Sequence, residues 1–586
     1  MRKFLEVYNF FNNKDKKKII LITIFFIIGA ILESMTVGLV LPVFSILIGG
    51  KEAILSSEIA QHFLSRDILF FIEQNTQQTL ITISLIVITL AYFLKNIYLS
   101  FSYFIAYKII YQFQIDLSKN LYKKYLVSDY NFFLNSNKAT LVRNIQDEIG
   151  TFIRRMLVPG ILLISEFLTL FFLTSLLIIA NSLASFSAIF MAAIFGFVIV
   201  FFTKNKIKVW GVERQIFSNK KYKNLFESFN SIVEIKLRNA ESKFIDIFDK
   251  NNSIHIKADR NVDLLNLFPR FILEFFGVFL FSFIIMILFH FGYSSESILP
   301  IMALFGAAAF RILPSINRML VYFNSFMYGS KAFEKINQEF FYNYSNFNTN
   351  GKKITKDLDK ILFQSINFND VSFSYTDNSD KILKNLNLTI NKGEFIGVNG
   401  PSGSGKSTFV LLMSGLLAPK KGEIKMNNEF NLQDKEISYD KVIGYVSQKT
   451  TLFDDTLKSN IAFGIDSQDI DLDKLNEVIK ITQMNEFISS LPEGLDTIVG
   501  DDGLRISGGQ RQRIAIARAL YFDPQLLIFD EATSALDVEI ENKIIDIINN
   551  LKGKLTLIFI SHKMNSLKIC NTIYELKNNT LIKSDR

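Results

Sequence analysis

The sequence predicts a multidomain membrane protein, an all-α domain of six spanning helices followed by a soluble α/β domain. Three observations carry that prediction. Apolar residues make up 49% of the 586 residues and charged residues only 20%, which excludes a disordered chain, a fibrous repeat and an ordinary wholly soluble enzyme. The apolar residues are not spread evenly: long hydrophobic runs occupy the chain up to about Tyr328, whereas from about Ile361 to Arg586 it reads as soluble α/β. Lys and Arg collect between some runs and not others, the signature of a fixed orientation across a bilayer. The expected divisions are a membrane domain over 1–335, a linker over 336–360 and the soluble domain over 361–586.

The six spans are read at 19–48, 80–110, 157–179, 183–202, 264–291 and 298–326. Each reaches the roughly 20 apolar residues that a helix needs to cross the hydrocarbon core. The third and fourth are separated only by Ala180-Asn181-Ser182, but one unbroken run would be too long for a single crossing. A large soluble helical domain is the alternative. The N-terminus (Arg2, Lys3, Lys14, Lys16, Lys17, Lys18) and the loops at 111–156 and 203–261 are rich in Lys and Arg, and the loops at 49–79, 180–182 and 292–297 are poor in them. Both termini and the two long loops are therefore expected in the cytoplasm. The first run is too long for a signal peptide and lacks a small-residue cleavage site, so it is expected to be retained.

Much of 111–150 and 206–260 reads as helix carried on into the cytoplasm, with turning points near Asp129–Asn135 and Phe226–Val233. These excursions are either solvated stalks or short helices that dock on the soluble domain. The net charge of +8 is assigned to such cytoplasmic loops rather than to nucleic-acid binding, and the single cysteine, Cys570, excludes a disulfide framework or a multi-cysteine zinc site. In the outer loop, Ile54, Leu55, Ile59, Phe63 and Leu64 recur at near-helical spacing. They suit an interfacial amphipathic helix or a helix packed over neighbouring spans.

In the soluble part, Gly400-Pro-Ser402-Gly403-Ser-Gly405-Lys406-Ser407-Thr408 stands between the apolar stretch Phe395–Val398 and the apolar helix Phe409–Leu417. Strand, glycine-rich loop and helix together make a phosphate cradle: glycines let backbone N–H groups converge, and the helix N-terminus adds positive potential. Lys406 is expected to reach the β and γ phosphates of a nucleotide and Ser407 to bind Mg²⁺. Leu526-Leu-Ile-Phe-Asp530-Glu531 is an apolar strand ending in two carboxylates. Asp530 suits Mg²⁺, and Glu531 suits a base that polarises the attacking water.

Between these motifs lies Ile506-Ser507-Gly508-Gly509-Gln510-Arg511-Gln512-Arg513. With it the region 361–586 resembles the nucleotide-binding domain of ATP-binding cassette transporters, and six spans before one cassette resemble a half-transporter of the exporter type. Ser507, Gly508, Gly509 and Gln510 match the family signature, with Ile506 where Leu is usual. The resemblance implies ATP and Mg²⁺ as cofactors, Tyr375 as the adenine-stacking aromatic and Gln448 as a catalytic-site residue that senses Mg²⁺ and the docking helices. It also implies His562 as the switch histidine and Ser534-Ala535-Leu536-Asp537 as the loop that crosses to a partner. Taken singly, Tyr375, Gln448 and His562 are as readily a strand-face aromatic, a surface amide and a loop histidine. In this family ATP is sandwiched between the phosphate loop of one cassette and the signature of another, so one copy of each implies a dimer, here a homodimer.

Ionisable residues within the spans are costly and call for a reason: Glu33, Lys95, Glu166, Arg270, Glu274, Arg311 and Arg318. Arg311 and Arg318 are seven apart and share a helix face. Lys95, Arg270, Arg311 and Arg318 are read as a positive belt for an anionic cargo, and pairing with Glu33, Glu166 and Glu274 is the structural alternative. The segments around Pro269-Arg270 and Arg311–Arg318, with Glu33-Ser-Met-Thr-Val-Gly38, look like those of lipid-linked oligosaccharide flippases of the PglK type. That resemblance implies a polyprenyl-pyrophosphate glycan carried from the inner to the outer leaflet of a bacterial cytoplasmic membrane, its pyrophosphate held by arginine forks. The alternatives are export of another amphiphile (lipid A, another lipid, a drug or a peptide) and a membrane-tethered ATPase that transports nothing.

Overall fold

A computed structural model describes residues 2–40, 43–44, 46, 70, 72–180, 182–292, 295–341, 362–376, 380–432, 442–500, 506–532, 538–564 and 566–584. The chain divides into two compact units, Met1–Ser128 with Asn135–Ser345, and Asp129–Leu134 with Asn346–Arg586.

The first unit is helical throughout its described residues. A short amphipathic helix, α1 (Arg2–Phe10), which the sequence reading does not anticipate, precedes α2 (Asn13–Gly38). Phe4 stacks on Phe326, and Phe10 packs edge-on against Phe152, Phe333 and Phe340. The Asn12 side chain caps α2 by accepting from the Asp15 N–H at 2.8 Å. Then follow α3 (Gln77–Leu126), α5 (Lys138–Ile179), α6 (Ser182–Asn230), α7 (Ile232–Leu237), α8 (Glu241–His290) and α9 (Ser295–Phe341), while the short α4 (Tyr130–Asn135) between α3 and α5 belongs, through Leu134, to the second unit. Among the described residues α2, α3, α5, α8 and the Met302–Phe341 part of α9 are long and apolar enough to cross a membrane. The expected fourth span lies within α6, and Asn181 of the proposed polar turn before it lies outside the described residues. The proposed amphipathic helix in the outer loop lies largely outside the described residues.

At a rise of 1.5 Å per residue the 50-residue α3 and α8 are about 75 Å long, against a hydrocarbon core of about 30 Å. The helices therefore run well past any bilayer, as the long periodic loops imply. Short helices stand at both turning points, α4 where expected and α7 beginning at Ile232 after a turn at Ser231, within Phe226–Val233. The helical run over 111–150 breaks after Leu126 and takes up again at Lys138, on either side of α4, at the turning point expected near Asp129–Asn135. Within α5, Asn144–Glu148 and Phe152–Leu157 are wound as π-helix. There Arg214 donates to Glu148 at 2.9 Å, and Arg143 lies 3.7 Å from the same fully buried carboxylate. Two glycines let backbones touch. A Cβ at Gly211 of α6 would lie 2.9 Å from the Tyr328 carbonyl of α9, and one at Gly329 of α9 would lie 2.8 Å from the Arg155 carbonyl carbon of α5.

The second unit is a layered α/β domain. Its six-stranded sheet has the order β12-β11-β3-β10-β9-β6, from β3 (Phe395–Asn399), β6 (Ile443–Val446), β9 (Leu526–Asp530), β10 (Thr556–Ile560), β11 (Thr572–Lys577) and β12 (Thr580–Lys583). All neighbours pair in parallel except the β11–β12 hairpin. Strands buried on both faces read as continuous apolar runs, and the side chains alternate between two cores. Phe395, Leu527, Phe529, Leu557 and Phe559 enter the core shared with α14 (Gly508–Leu520). Ile396, Val398, Ile528, Ile558 and Ile560 enter the other. That second core also holds α10 (Lys406–Met413) and an antiparallel sheet ordered β2-β1-β4-β5, from β1 (Ser365–Phe373), β2 (Leu383–Asn391), β4 (Lys421–Met426) and β5 (Phe430–Asn431).

Candidate functional site

The strands β3, β10 and β9 end side by side, with Ile560 in register with both Val398 and Asp530. The loops leaving them therefore meet at one edge. The glycine loop leaves β3 and enters α10 through Gly405, whose φ of +102° is open only to a residue without Cβ strain. Gly403 also has positive φ, and a Cβ on Gly400 would lie 2.8 Å from the Leu576 carbonyl. The loop is thus held close to the sheet while its outer side stays open. Ser402, Gly403 and Ser407 are exposed, and Lys406 and Thr408 are buried.

Lys406 Nζ donates to the carbonyls of Gly400 at 2.9 Å and Pro401 at 3.0 Å, and lies 3.3 Å from Glu531 Oε1. His562 Nε2 is 2.6 Å from that same Glu531 oxygen, and Gln448 Nε2 donates to Glu531 Oε2 at 3.0 Å. Three predicted residues from three separate stretches of chain thus converge on the carboxylate of a fourth, Glu531. Glu531 itself has φ +50°, so the chain turns sharply as it leaves β9 and aims this side chain back across the loop.

Asp530 is 8% exposed and accepts from the Tyr445 hydroxyl at 3.1 Å. Burial pushes its carboxyl above the usual carboxylate range, the Tyr445 hydrogen bond acting against that and the Glu531 charge adding to it. Sequence reasoning passes over Tyr445, since a strand aromatic carries no motif. Tyr375 stands edge-on to Phe373, and its hydroxyl is 3.0 Å from Thr408 Oγ1. Its ring remains 39% exposed, available for a base to stack on.

The signature forms a separate corner. Ser507 caps α14 in a reciprocal capping box: Ser507 Oγ accepts from the Gln510 N–H at 3.3 Å, and Gln510 Oε1 accepts from the Ser507 N–H at 3.0 Å. Gly508 follows as the first helical residue. A Cβ on Gly509 would lie 2.5 Å from Ile540 Cγ2 of α15 (Val538–Asn549), so only glycine fits this crossing. The predicted crossing loop at Ser534–Asp537, with Asp537, lies outside the described residues.

These residues fit a nucleoside triphosphate with its metal. A buried ammonium group, an open glycine backbone at a helix N-terminus, an exposed Ser407 hydroxyl and the Asp530 carboxylate supply phosphate donors and hard oxygen ligands.

In the membrane unit, a cavity of about 610 Å³ is lined by Glu33, Lys95, Glu166, Arg311 and Arg318. Arg311 binds Glu33 through two nitrogens, at 2.5 and 2.7 Å, and Lys95 Nζ is 3.7 Å from the same carboxylate. Arg318 binds Glu166 bidentately, at 2.6 and 3.2 Å. Three cations thus face two buried carboxylates, the pairing named as the structural alternative, with one positive charge in excess. Arg270 does not join them. It is exposed, pairs with Glu274 one turn on at 3.2 Å and lines no part of this cavity. A second cavity of about 570 Å³ is walled almost wholly by apolar side chains, among them Phe171, Phe197, Leu280, Phe305 and Ile312.

Residues 383–534 match the family model described as ABC transporter. The chain is 41% identical over 221 residues to a putative export ATP-binding/permease protein of Rickettsia bellii (strain RML369-C). It is 40% identical over 222 residues to an ATP-dependent lipid A-core flippase of Coxiella burnetii (strain RSA 493 / Nine Mile phase I). Each match covers 37% of this chain and 37% of the relative, so the chain is matched over little more than a third of the length of these relatives. Among solved structures, a bacterial Atm1-family ABC exporter with ATP bound superposes with a TM-score of 0.72 at 19% identity. That superposition covers 97% of this chain and 95% of the other. The chain accordingly has the ABC exporter fold, a helical membrane domain followed by an ABC nucleotide-binding domain.

Proposed function

We propose that the protein is an ATP-hydrolysing exporter that moves an anionic amphiphile across the cytoplasmic membrane of a bacterium, working as a homodimer with both termini in the cytoplasm. The observation that carries this reading is the convergence of Lys406, His562 and Gln448 on Glu531 at the mouth of the glycine loop. Glu531 orients and polarises the attacking water, and His562 fixes one of its oxygens. Lys406, drawn from its carbonyl contacts, holds phosphate oxygens, and the glycine-loop N–H groups cradle them. Tyr375 stacks on the base. Mg²⁺, when bound, neutralises phosphate charge, with Ser407, Gln448 and Asp530 as the residues placed to hold it. The signature Ser507–Gln510 makes no hydrogen bond or ion pair with this centre among the described residues, which supports a second chain supplying it, joined by Asp537. ATP favours the closed pair and hydrolysis removes that bias.

For the cargo, the cavity lined by Lys95, Arg311 and Arg318 favours a phosphate-bearing head, and the apolar cavity suits a hydrocarbon tail. The finer reading is a polyprenyl-pyrophosphate-linked oligosaccharide flipped for glycosylation or surface-glycan assembly, with Arg270 a further contact near the cytoplasmic side. The second reading, a lipid A-type glycolipid, is favoured by the flippase named among the relatives. The test is ATP-dependent translocation of each lipid in proteoliposomes, with Glu531→Gln as the inactive control. Translocation of either lipid that vanishes in the control identifies the cargo. ATP turnover indifferent to every amphiphile would make the protein a membrane-tethered ATPase instead.

A further inference from the structure

Tyr445 lies on β6, the edge strand of the six-stranded sheet, opposite Ile528 of β9. Asp530 follows Ile528 by two residues and so presents its side chain on the same face. The Tyr445 ring spans that step along the strand, and its hydroxyl donates to Asp530 Oδ2 at 3.1 Å. The ring itself is 41% exposed, which makes it a poor candidate for a core filler.

A carboxylate that serves a metal must present one oxygen in a defined direction, and a free terminal carboxylate rotates about its last bond. Engaging Oδ2 restrains that rotation and leaves Oδ1 as the oxygen free of this hydrogen bond. We infer that Tyr445 is a positioning residue that orients the Asp530 carboxylate for the nucleotide-bound divalent cation. The inference rests on the reading of Asp530 and Ser407 as the metal-holding pair. Hydrogen-bonding partners of metal-binding groups typically change metal affinity by 10- to 100-fold when removed. The single, partly exposed contact here places the effect at about tenfold.

The test uses the full-length protein in lipid, wild type and Tyr445→Phe, which keeps the ring and deletes the hydroxyl. Mn²⁺ binding in the presence of AMP-PNP is titrated by electron paramagnetic resonance, alongside metal-free AMP-PNP binding, thermal midpoint and Mg²⁺-dependent ATP turnover. The expected result is Mn²⁺ affinity lowered about tenfold, with metal-free nucleotide binding and thermal midpoint unchanged. Turnover is expected to recover at high Mg²⁺. Mn²⁺ affinity within twofold of wild type overturns the inference, as does a parallel fall in metal-free nucleotide binding and thermal midpoint, which marks a merely structural contact. A wild-type protein that binds AMP-PNP but no Mn²⁺ overturns the metal site itself, a different failure visible before any variant is made.

Discussion

Deleting the Arg318 side chain separates a structural ion pair from a cargo contact more cleanly than any other change in the membrane unit. Glu166 is 4% exposed at its side chain and Arg318 34%, and two hydrogen bonds join them. The burial is asymmetric, so the two single substitutions are expected to be unequal. Arg318→Ala strands a buried carboxylate, and breaking a buried pair in that way costs about 3–5 kcal/mol. Glu166→Gln leaves a guanidinium that still reaches water and costs nearer 2 kcal/mol, the order of one hydrogen bond to a charged group. The double variant removes both charges, so its loss falls short of the sum, with a coupling of roughly 2 kcal/mol within the range for contacting residues. The assay is thermal unfolding of the four proteins in lipid nanodiscs, followed by translocation at a temperature where all are folded. Equal, small and additive effects on stability would refute the ion-pair reasoning. If Arg318→Ala were also silent in stability yet abolished translocation, the residue would belong to the cargo and not to the fold.

Glu531→Gln is expected to retain ATP while turnover falls by about 10²–10⁴, the usual contribution of a general base; bound nucleotide and released phosphate measure the two. Lys406→Ala should lose nucleotide binding outright, because it removes the buried ammonium held against the loop carbonyls; equilibrium binding of a fluorescent ATP analogue checks it. Gly329→Ala forces a methyl to within 2.8 Å of the Arg155 backbone and is expected to cost about 1–3 kcal/mol by overpacking, read as a lower unfolding midpoint with ATP affinity unchanged. Arg270→Ala, by contrast, removes only an exposed i,i+4 pair, worth at most about 0.5 kcal/mol. Its stability should match wild type, so any transport defect reports cargo contact.

Much of the cassette was legible beforehand because its signals are local. The glycines at 400, 403 and 405, the lysine after them and the paired carboxylates after an apolar strand each specify a turn, a helix start or a strand end within a few residues. Periodicity likewise announced the spans and their extension beyond the bilayer. The π-helical winding near Asn144 was not legible, for it answers to packing around the buried Glu148 and Arg214, 66 residues apart in the chain. Nor did α1 show itself, since nine residues with a modest apolar stripe become a stable helix only against the phenylalanines of α5 and α9.

Sequence alone determined which groups were present: a glycine-rich loop with its lysine, two carboxylates after an apolar strand, a Ser-Gly-Gly-Gln turn and charges within apolar runs that had to be explained. Only the tertiary structure decided how those charges are spent. Which arginine meets which glutamate depends on the rotation of each helix about its own axis and on its register against its neighbours. Both are set by side-chain packing between segments as far apart as Glu33 and Arg311, 278 residues along the chain. The same holds for Tyr445 and Asp530, 85 residues apart, which meet only because two parallel strands lie side by side.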